Sequence, residues 1–118
     1  IHKTGALIRA SVLLGARCGR ALGAAELGGL DRYAKCVGLA FQVVDDILDE
    51  AANSATLGKT AGKDREAGKP TYTSLLGLPE ARQFADRLLA DAHEALADFD
   101  ARADRLRQLA DFIVRRDR

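Results

Sequence analysis

Three aspartates, Asp45, Asp46 and Asp49, follow Gln42 within the stretch Phe41-Gln42-Val43-Val44-Asp45-Asp46-Ile47-Leu48-Asp49. At about 100° per residue, with Gln42 set at zero, Asp45 falls near −60°, Asp46 near +40° and Asp49 near −20°. Val43, Val44, Ile47 and Leu48 fall on the opposite side. One face of such a helix seats in a core while the other presents carboxylates together. The arrangement opposes its own folding. Like charges at i and i+4 cost a helix about 0.2–0.5 kcal/mol, the group lies in the last turns where the macrodipole prefers cations, and no Lys or Arg sits on the same face. A divalent cation resolves all three. Oxygen donors without His or Cys point to a hard ion, and Mg²⁺ takes one or two carboxylates together with phosphate oxygens. A solvated acidic face is the competing reading. The smooth apolar back of the helix and the basic stretch after it favour the metal site.

That basic stretch is Gly58-Lys59, Gly62-Lys63-Asp64 and Gly68-Lys69-Pro70-Thr71. Glycines let backbone approach a ligand closely and lysines act as point charges toward phosphate oxygens. It is not a Walker loop, because the GxxxxGK[ST] order is missing, and taken alone it reads equally as a solvated loop. Lys3-Thr4 offers a further ammonium and hydroxyl, which without other information is a surface pair at a helix start. Arg115, Arg116 and Arg118 read as a solvated basic tail; His2 and His93 have no partner pattern, and His93 reads as a helix-surface residue. No Ser/His/Asp or Cys/His arrangement suggests a covalent nucleophile.

The elements that would position these groups are helices. Residues 4–22 carry Leu7, Ile8, Val12, Leu13 and Ala16 at helical spacing, and Gly23 and Gly28-Gly29 punctuate the chain before a second helix over 30–52. Residues 53–70 read as a loop, long enough to suggest a function. Pro70 and Pro79 fit the first turns of a short helix over 71–77 and a longer one over 80–100. The longer helix has a stripe of Phe84, Leu88, Ala92, Leu96 and Phe99. A last helix over 102–116 is expected to bury Leu106, Leu109 and Ile113, with Phe112 beside them. Strand signals and repeats are absent, so the fold class is all-α in one domain spanning 1–118.

Composition agrees. Of 118 residues, 47% are hydrophobic, 30% charged and only 5% aromatic, which suits closely packed helices in a globular protein. No apolar run reaches the roughly 18–20 residues of a membrane span. Cys18 and Cys36 lack metal-ligand spacing and read as buried free thiols, pointing to a reducing, cytoplasmic setting. The net charge of +1 hides an asymmetry, with residues 41–57 holding four carboxylates and no base between two basic segments. Nucleic acid would call for a continuous basic stripe with stacking aromatics; neighbouring cations and anions suit a metal–phosphate site. The chain has no Met and runs from Ile1 directly into a helical pattern, so it reads as a piece beginning inside or just before a helix.

The chain closely resembles the trans-isoprenyl (polyprenyl) diphosphate synthase family, especially bacterial farnesyl and geranylgeranyl diphosphate synthases. The matching residues are Lys3-Thr4-Gly5-Ala6-Leu7-Ile8-Arg9, Gly38-Leu39-Ala40-Phe41-Gln42, Asp45-Asp46-Ile47-Leu48-Asp49, Thr56-Leu57-Gly58-Lys59, Asp64, Gly68-Lys69, Thr71-Tyr72 and Leu109-Ala110-Asp111-Phe112-Ile113. The resemblance implies an all-helical bundle, usually dimeric, in which two aspartate-rich motifs face each other across a cavity. Asp45-Asp46-Ile47-Leu48-Asp49 resembles the second motif. By that resemblance Asp45, Asp46 and Asp49 hold Mg²⁺ that bridges to an allylic diphosphate, Lys3 and Lys59 contact the diphosphate with Lys69 nearby, Thr4 and Gln42 line the reacting end, and Asp64 supports the metal through water. The implied reaction is electrophilic: pyrophosphate departs, an allylic cation forms and isopentenyl diphosphate adds to it.

The family's first aspartate-rich motif, its following arginines and its isopentenyl diphosphate site lie upstream of Ile1, so the resemblance implies a C-terminal part that is inactive without the N-terminal part. Lys3-Thr4-Gly5-Ala6-Leu7 leans toward short-chain members. A class I terpene cyclase would share the fold and the Mg²⁺-bound diphosphate but not the Gly-Lys stretch. A non-catalytic helical partner subunit would be expected to lose aspartates that are present here. A plain helical interaction module leaves the carboxylates unexplained.

Overall fold

The computed structural model describes residues 3–55 (backbone alone from 53) and 70–116. The described residues form five α-helices and a 3₁₀ turn, without a strand: α1 Lys3–Ala16, α2 Ala24–Ala55, α3 Tyr72–Leu76, α4 Leu78–Ala95, the turn Ala101–Ala103, and α5 Asp104–Val114. The long helix α2 is the axis of the fold. Its residues Leu30, Tyr33, Val37, Ala40, Val43, Val44 and Ile47 recur at helical spacing and are buried, so they form one continuous stripe. Against it lies a row of small side chains on α4, Ala81, Ala85, Ala92 and Ala95, with Leu88 and Leu89 beside them. Small residues let the two helices come close. At Gly29 an added Cβ would meet the Ala95 carbonyl oxygen at 2.7 Å.

Gly38 stands nine residues beyond Gly29 and therefore on the opposite side of α2, at about 100° per residue. There a Cβ would lie 3.3 Å from Gly5 Cα, so α1 crosses α2 at a pair of glycines. The acidic helix is thus held between α1 on one side and α4 on the other. The chain turns from α4 into α5 through a corner whose carbonyls are collected by one side chain. Arg107 donates to Leu96 O at 2.9 Å, Phe99 O at 2.6 Å and Asp100 O at 2.9 Å, gathering the corner that follows α4. Tyr33, fully buried on α2, donates its hydroxyl to Leu106 O at 2.7 Å and ties α5 down.

Several expectations from the sequence change. α2 begins at Ala24 and runs through Gly28-Gly29, because Gly29 answers the close approach of α4 and does not end a helix. Pro79 does stand in the first turn of α4, but Pro70 precedes Thr71, which caps α3. α1 stops at Ala16, and α4 stops at Ala95, short of residue 100. On α5 the core positions are taken by Ala110, Ile113 and Val114. This rotates Leu109 and Phe112 outward, to 46% and 67% exposure. α1 buries none of its side chains; Ile8, Val12 and Ala16 only lean on the core. Cys18 is exposed and Cys36 half-buried, and both thiols are free. His93 has a partner after all: its Nε2 lies 2.8 Å from Asp111 Oδ1, joining α4 to α5.

Candidate functional site

The acidic motif occupies the later turns of α2, where the buried stripe through Val43, Val44 and Ile47 fixes the rotation of the helix. With that face inside, Gln42 and Asp46 turn into a cleft of about 680 Å³ between α1, α2 and the start of α3. Arg9 and Lys35 line the same cleft further along, as do Thr71 and Tyr72. Arg9 and Lys35 share the Asp31 carboxylate, the lysine at 3.2 Å. The Arg9 hydrogen bond holds the Asp31 carboxyl below its ordinary value; burial opposes it, and the Lys35 hydrogen bond adds a lesser pull downward.

Asp46 is met by the N-terminus of α3. Thr71 caps this helix, its hydroxyl accepting from Ser74 N–H at 2.9 Å while Ser74 Oγ accepts from Thr71 N–H at 2.8 Å. The reciprocal cap aims the Tyr72 N–H at Asp46 Oδ2, at 2.8 Å. Tyr72 also rests on Phe84 of α4, ring centroids 6.0 Å apart. Burial pushes the Asp46 carboxyl above its ordinary value. The Tyr72 N–H opposes this, and the charges of Asp49 and Asp45 add to it.

Asp45 points elsewhere. Arg116, from the turn after α5, places Nη1 3.2 Å from Asp45 Oδ1. Its guanidinium lies 4.6 Å from the centre of the Phe41 ring. It donates through Nε to Ile113 O at 3.0 Å and through Nη2 to Phe41 O at 3.4 Å. Arg116 is therefore docked, with 20% of its side chain exposed, and is not the solvated tail residue the sequence suggested. The expectation of a carboxylate face without a base is corrected twice: by Arg116, and by Lys35, which stands seven residues before Gln42 on the same face of α2 and lines the same cleft. The helical wheel of α2 cannot show a cation arriving from a helix about 70 residues away in sequence. Asp49 is exposed on the following turn. Among the described residues no three carboxylate, histidine or cysteine groups stand close enough together to hold a metal ion by themselves.

Of the remaining predicted site residues, Lys3 is exposed in the first turn of α1 and Thr4 is half-buried beside it, next to the Gly5–Gly38 crossing. Lys59, Asp64 and Lys69 lie outside the described residues. The structure thus brings Gln42 and Asp46 into one cleft and gives Asp45 and Asp46 different partners. Arg116 was the residue sequence reasoning missed. Arg9 stood in the quoted Lys3–Arg9 stretch, without a role.

The sequence pattern of the family described as Polyprenyl synthetase matches residues 1–109. The chain belongs to that family. Similar members include "Probable farnesyl diphosphate synthase" of Bradyrhizobium diazoefficiens, 56% identical over 110 residues, which are 91% of this chain and 33% of that protein. The farnesyl diphosphate synthase of Escherichia coli is 49% identical over 120 residues, covering 99% of this chain and 40% of that one. Geranylgeranyl pyrophosphate synthase 7 of Arabidopsis thaliana is 50% identical over 117 residues, covering 98% and 33%. The crystal structure described as "a putative farnesyl-diphosphate synthase from Marinomonas sp. MED121" superposes with a TM-score of 0.77 at 39% identity over 96% of this chain and 36% of that one. This polyprenyl synthetase chain spans about a third of the length of the curated relatives it matches. The all-α class expected from the sequence is that of the family's bundle, and no described helix is long and apolar enough to cross a membrane.

Proposed function

We propose that this chain carries the Mg²⁺ and allylic-diphosphate part of a short-chain prenyltransferase site, one that condenses isopentenyl diphosphate with dimethylallyl or geranyl diphosphate and releases pyrophosphate. The observation that carries the reading is the placement of Gln42 and Asp46 in one cleft at the carboxylate-rich end of α2, in a chain of this family. The donor set fits Mg²⁺: it is all carboxylate oxygen, and a hard ion of that size is held by one or two carboxylates plus substrate phosphates and not by a full protein cage. Asp45, Asp46 and Asp49 are the residues that would hold it. When bound, the ion neutralises diphosphate charge and so eases departure of pyrophosphate.

The chain's own groups supply the rest by electrostatics. Lys3 binds diphosphate oxygens from the start of α1, and Lys59 and Lys69 do so from the stretch between α2 and α3, with Asp64 steadying the cation through water. The Gln42 amide and Thr4 hydroxyl present their oxygens to the positive charge that develops at the reacting carbon. No protein nucleophile is required. The apolar part of the cleft keeps water from the allylic cation. The Gly-Lys stretch and the transferase names of the relatives support this over a class I terpene cyclase, and the retained aspartates support it over a non-catalytic partner subunit.

The test is a thermal melt with Mg²⁺ and pyrophosphate, separately and together. A ligand at about 100 times its Kd adds roughly 2.7 kcal/mol to the folded state, so the pair should raise Tm by several degrees where neither does alone. Asp46→Asn should abolish the shift. Absence of a Mg²⁺-dependent shift, or a shift that survives Asp45→Asn with Asp46→Asn, overturns the reading.

A further inference from the structure

We propose that Arg116 is a positioning residue for the acidic motif, one that fixes the Asp45 carboxylate from the far end of the chain so that Asp45 meets a divalent cation in a set orientation. The inference rests on the reading of Asp45 as a Mg²⁺ ligand and goes beyond it by assigning a role to α5.

Arg116 is anchored by groups other than Asp45. Its Nε donates to Ile113 O at 3.0 Å, its Nη2 to Phe41 O at 3.4 Å, and its plane lies 4.6 Å from the Phe41 ring centre. Planar guanidinium can satisfy an aromatic face and several acceptors at once, which an ammonium cannot. The cation is therefore set in place by the end of α5 and by Phe41, four residues before Asp45 on the same helix. Asp45 comes to it at 3.2 Å. The side chain of Asp45 is 42% exposed, which leaves it accessible to a ligand from solvent. A carboxylate held at one oxygen by a fixed donor loses rotamer freedom and keeps its second oxygen for a metal, which is how outer partners orient metal ligands.

Two consequences of opposite sign compete. A nearby guanidinium repels a metal ion, and it also orders the ligand. Asp45, Asp46 and Asp49 together bring three negative charges, and one guanidinium leaves an excess of two. Attraction for the cation survives, and orientation decides.

The experiment measures Mg²⁺-dependent pyrophosphate binding to the 118-residue chain by calorimetry at 25 °C, well below melting. R116Q is expected to weaken binding by about tenfold or more, the usual cost of losing an outer partner. R107Q serves as the control. It disrupts the α4–α5 corner and lowers Tm, and it should leave affinity unchanged. Should R116Q fail to fold, R116K keeps the charge but cannot span Phe41, Ile113 and Asp45 together, and should show a smaller loss in the same direction. Unchanged affinity in a folded Arg116 variant would make the residue a clasp for α5 alone. Tighter binding would make it a competitor of the metal. Either result overturns the proposal. Wild-type chain that binds no pyrophosphate with Mg²⁺ overturns the site reading beneath it as well.

Discussion

Gly28 and Gly29 are neighbours on α2, yet replacing each by alanine should move stability in opposite directions. In a helix interior alanine is favoured over glycine by about 0.8–1 kcal/mol, through smaller loss of backbone entropy. At Gly28 a Cβ meets nothing within 4 Å, so that gain is kept whole. At Gly29 the same Cβ would stand 2.7 Å from the Ala95 carbonyl oxygen and 3.6 Å from Phe99 Cε1. The obstacle is backbone and cannot swing aside, so α4 must shift relative to α2, and overpacking of this kind costs about 1–3 kcal/mol. The net for G28A is therefore a gain approaching 1 kcal/mol, and for G29A a loss of up to about 2 kcal/mol. Thermal unfolding followed by far-ultraviolet circular dichroism reads both, with a Tm change of about 4 °C per kcal/mol for a domain near this size. If both variants shift the same way, α2 and α4 are not seated as described. The same seating sets where the acidic end of α2 lies against α3 and Arg116.

Y33F should lose about 1 kcal/mol, because it removes the hydroxyl donated to Leu106 O and leaves that carbonyl without this donor. Burial pushes the Tyr33 phenol up to about 12, so its contribution is complete below pH 10 and lost as pH rises toward 12; in Y33F the alkaline fall in stability over that range should be shallower. The Arg102 side chain and backbone hold Asp100 at about 2, below its ordinary 3.8. Its contribution is present above pH 4 and lost as pH falls toward 2, so D100N, which keeps a capping side chain, should unfold less steeply in acid when followed by the same spectroscopy.

The periodicity through Val43, Val44 and Ile47 was enough to orient α2, because a buried stripe on a long helix leaves little choice of rotation. It also turned Gln42 and Asp46 outward together, as the structure has them. What α2 could not reveal was what came to meet it. The Tyr72 N–H and the Arg116 guanidinium reach Asp46 and Asp45 from residues 26 and 71 positions later, and helical wheels carry no information about such distances in sequence. Glycines misled for a related reason. Gly28-Gly29 reads as punctuation when only neighbours in sequence count, whereas Gly29 is small because Ala95 is close in space. On α5 the apolar residues are so numerous that two faces compete. Ala110 and Val114 won the core, and Leu109 and Phe112 were left outside. Lys3 and Thr4 had meaning only through the family pattern, since an ammonium and a hydroxyl at a helix start have no periodicity to betray them.

The helix that bears Lys3 and Thr4 rests on the core through the partly buried Ile8, Val12 and Ala16. α1 buries no side chain and is joined to α2 at the Gly5–Gly38 crossing and through Arg9 and Asp31. Its local opening should therefore need less free energy than global unfolding. Amide hydrogens along α1 in this chain should accordingly exchange faster than those along the buried stripe of α2.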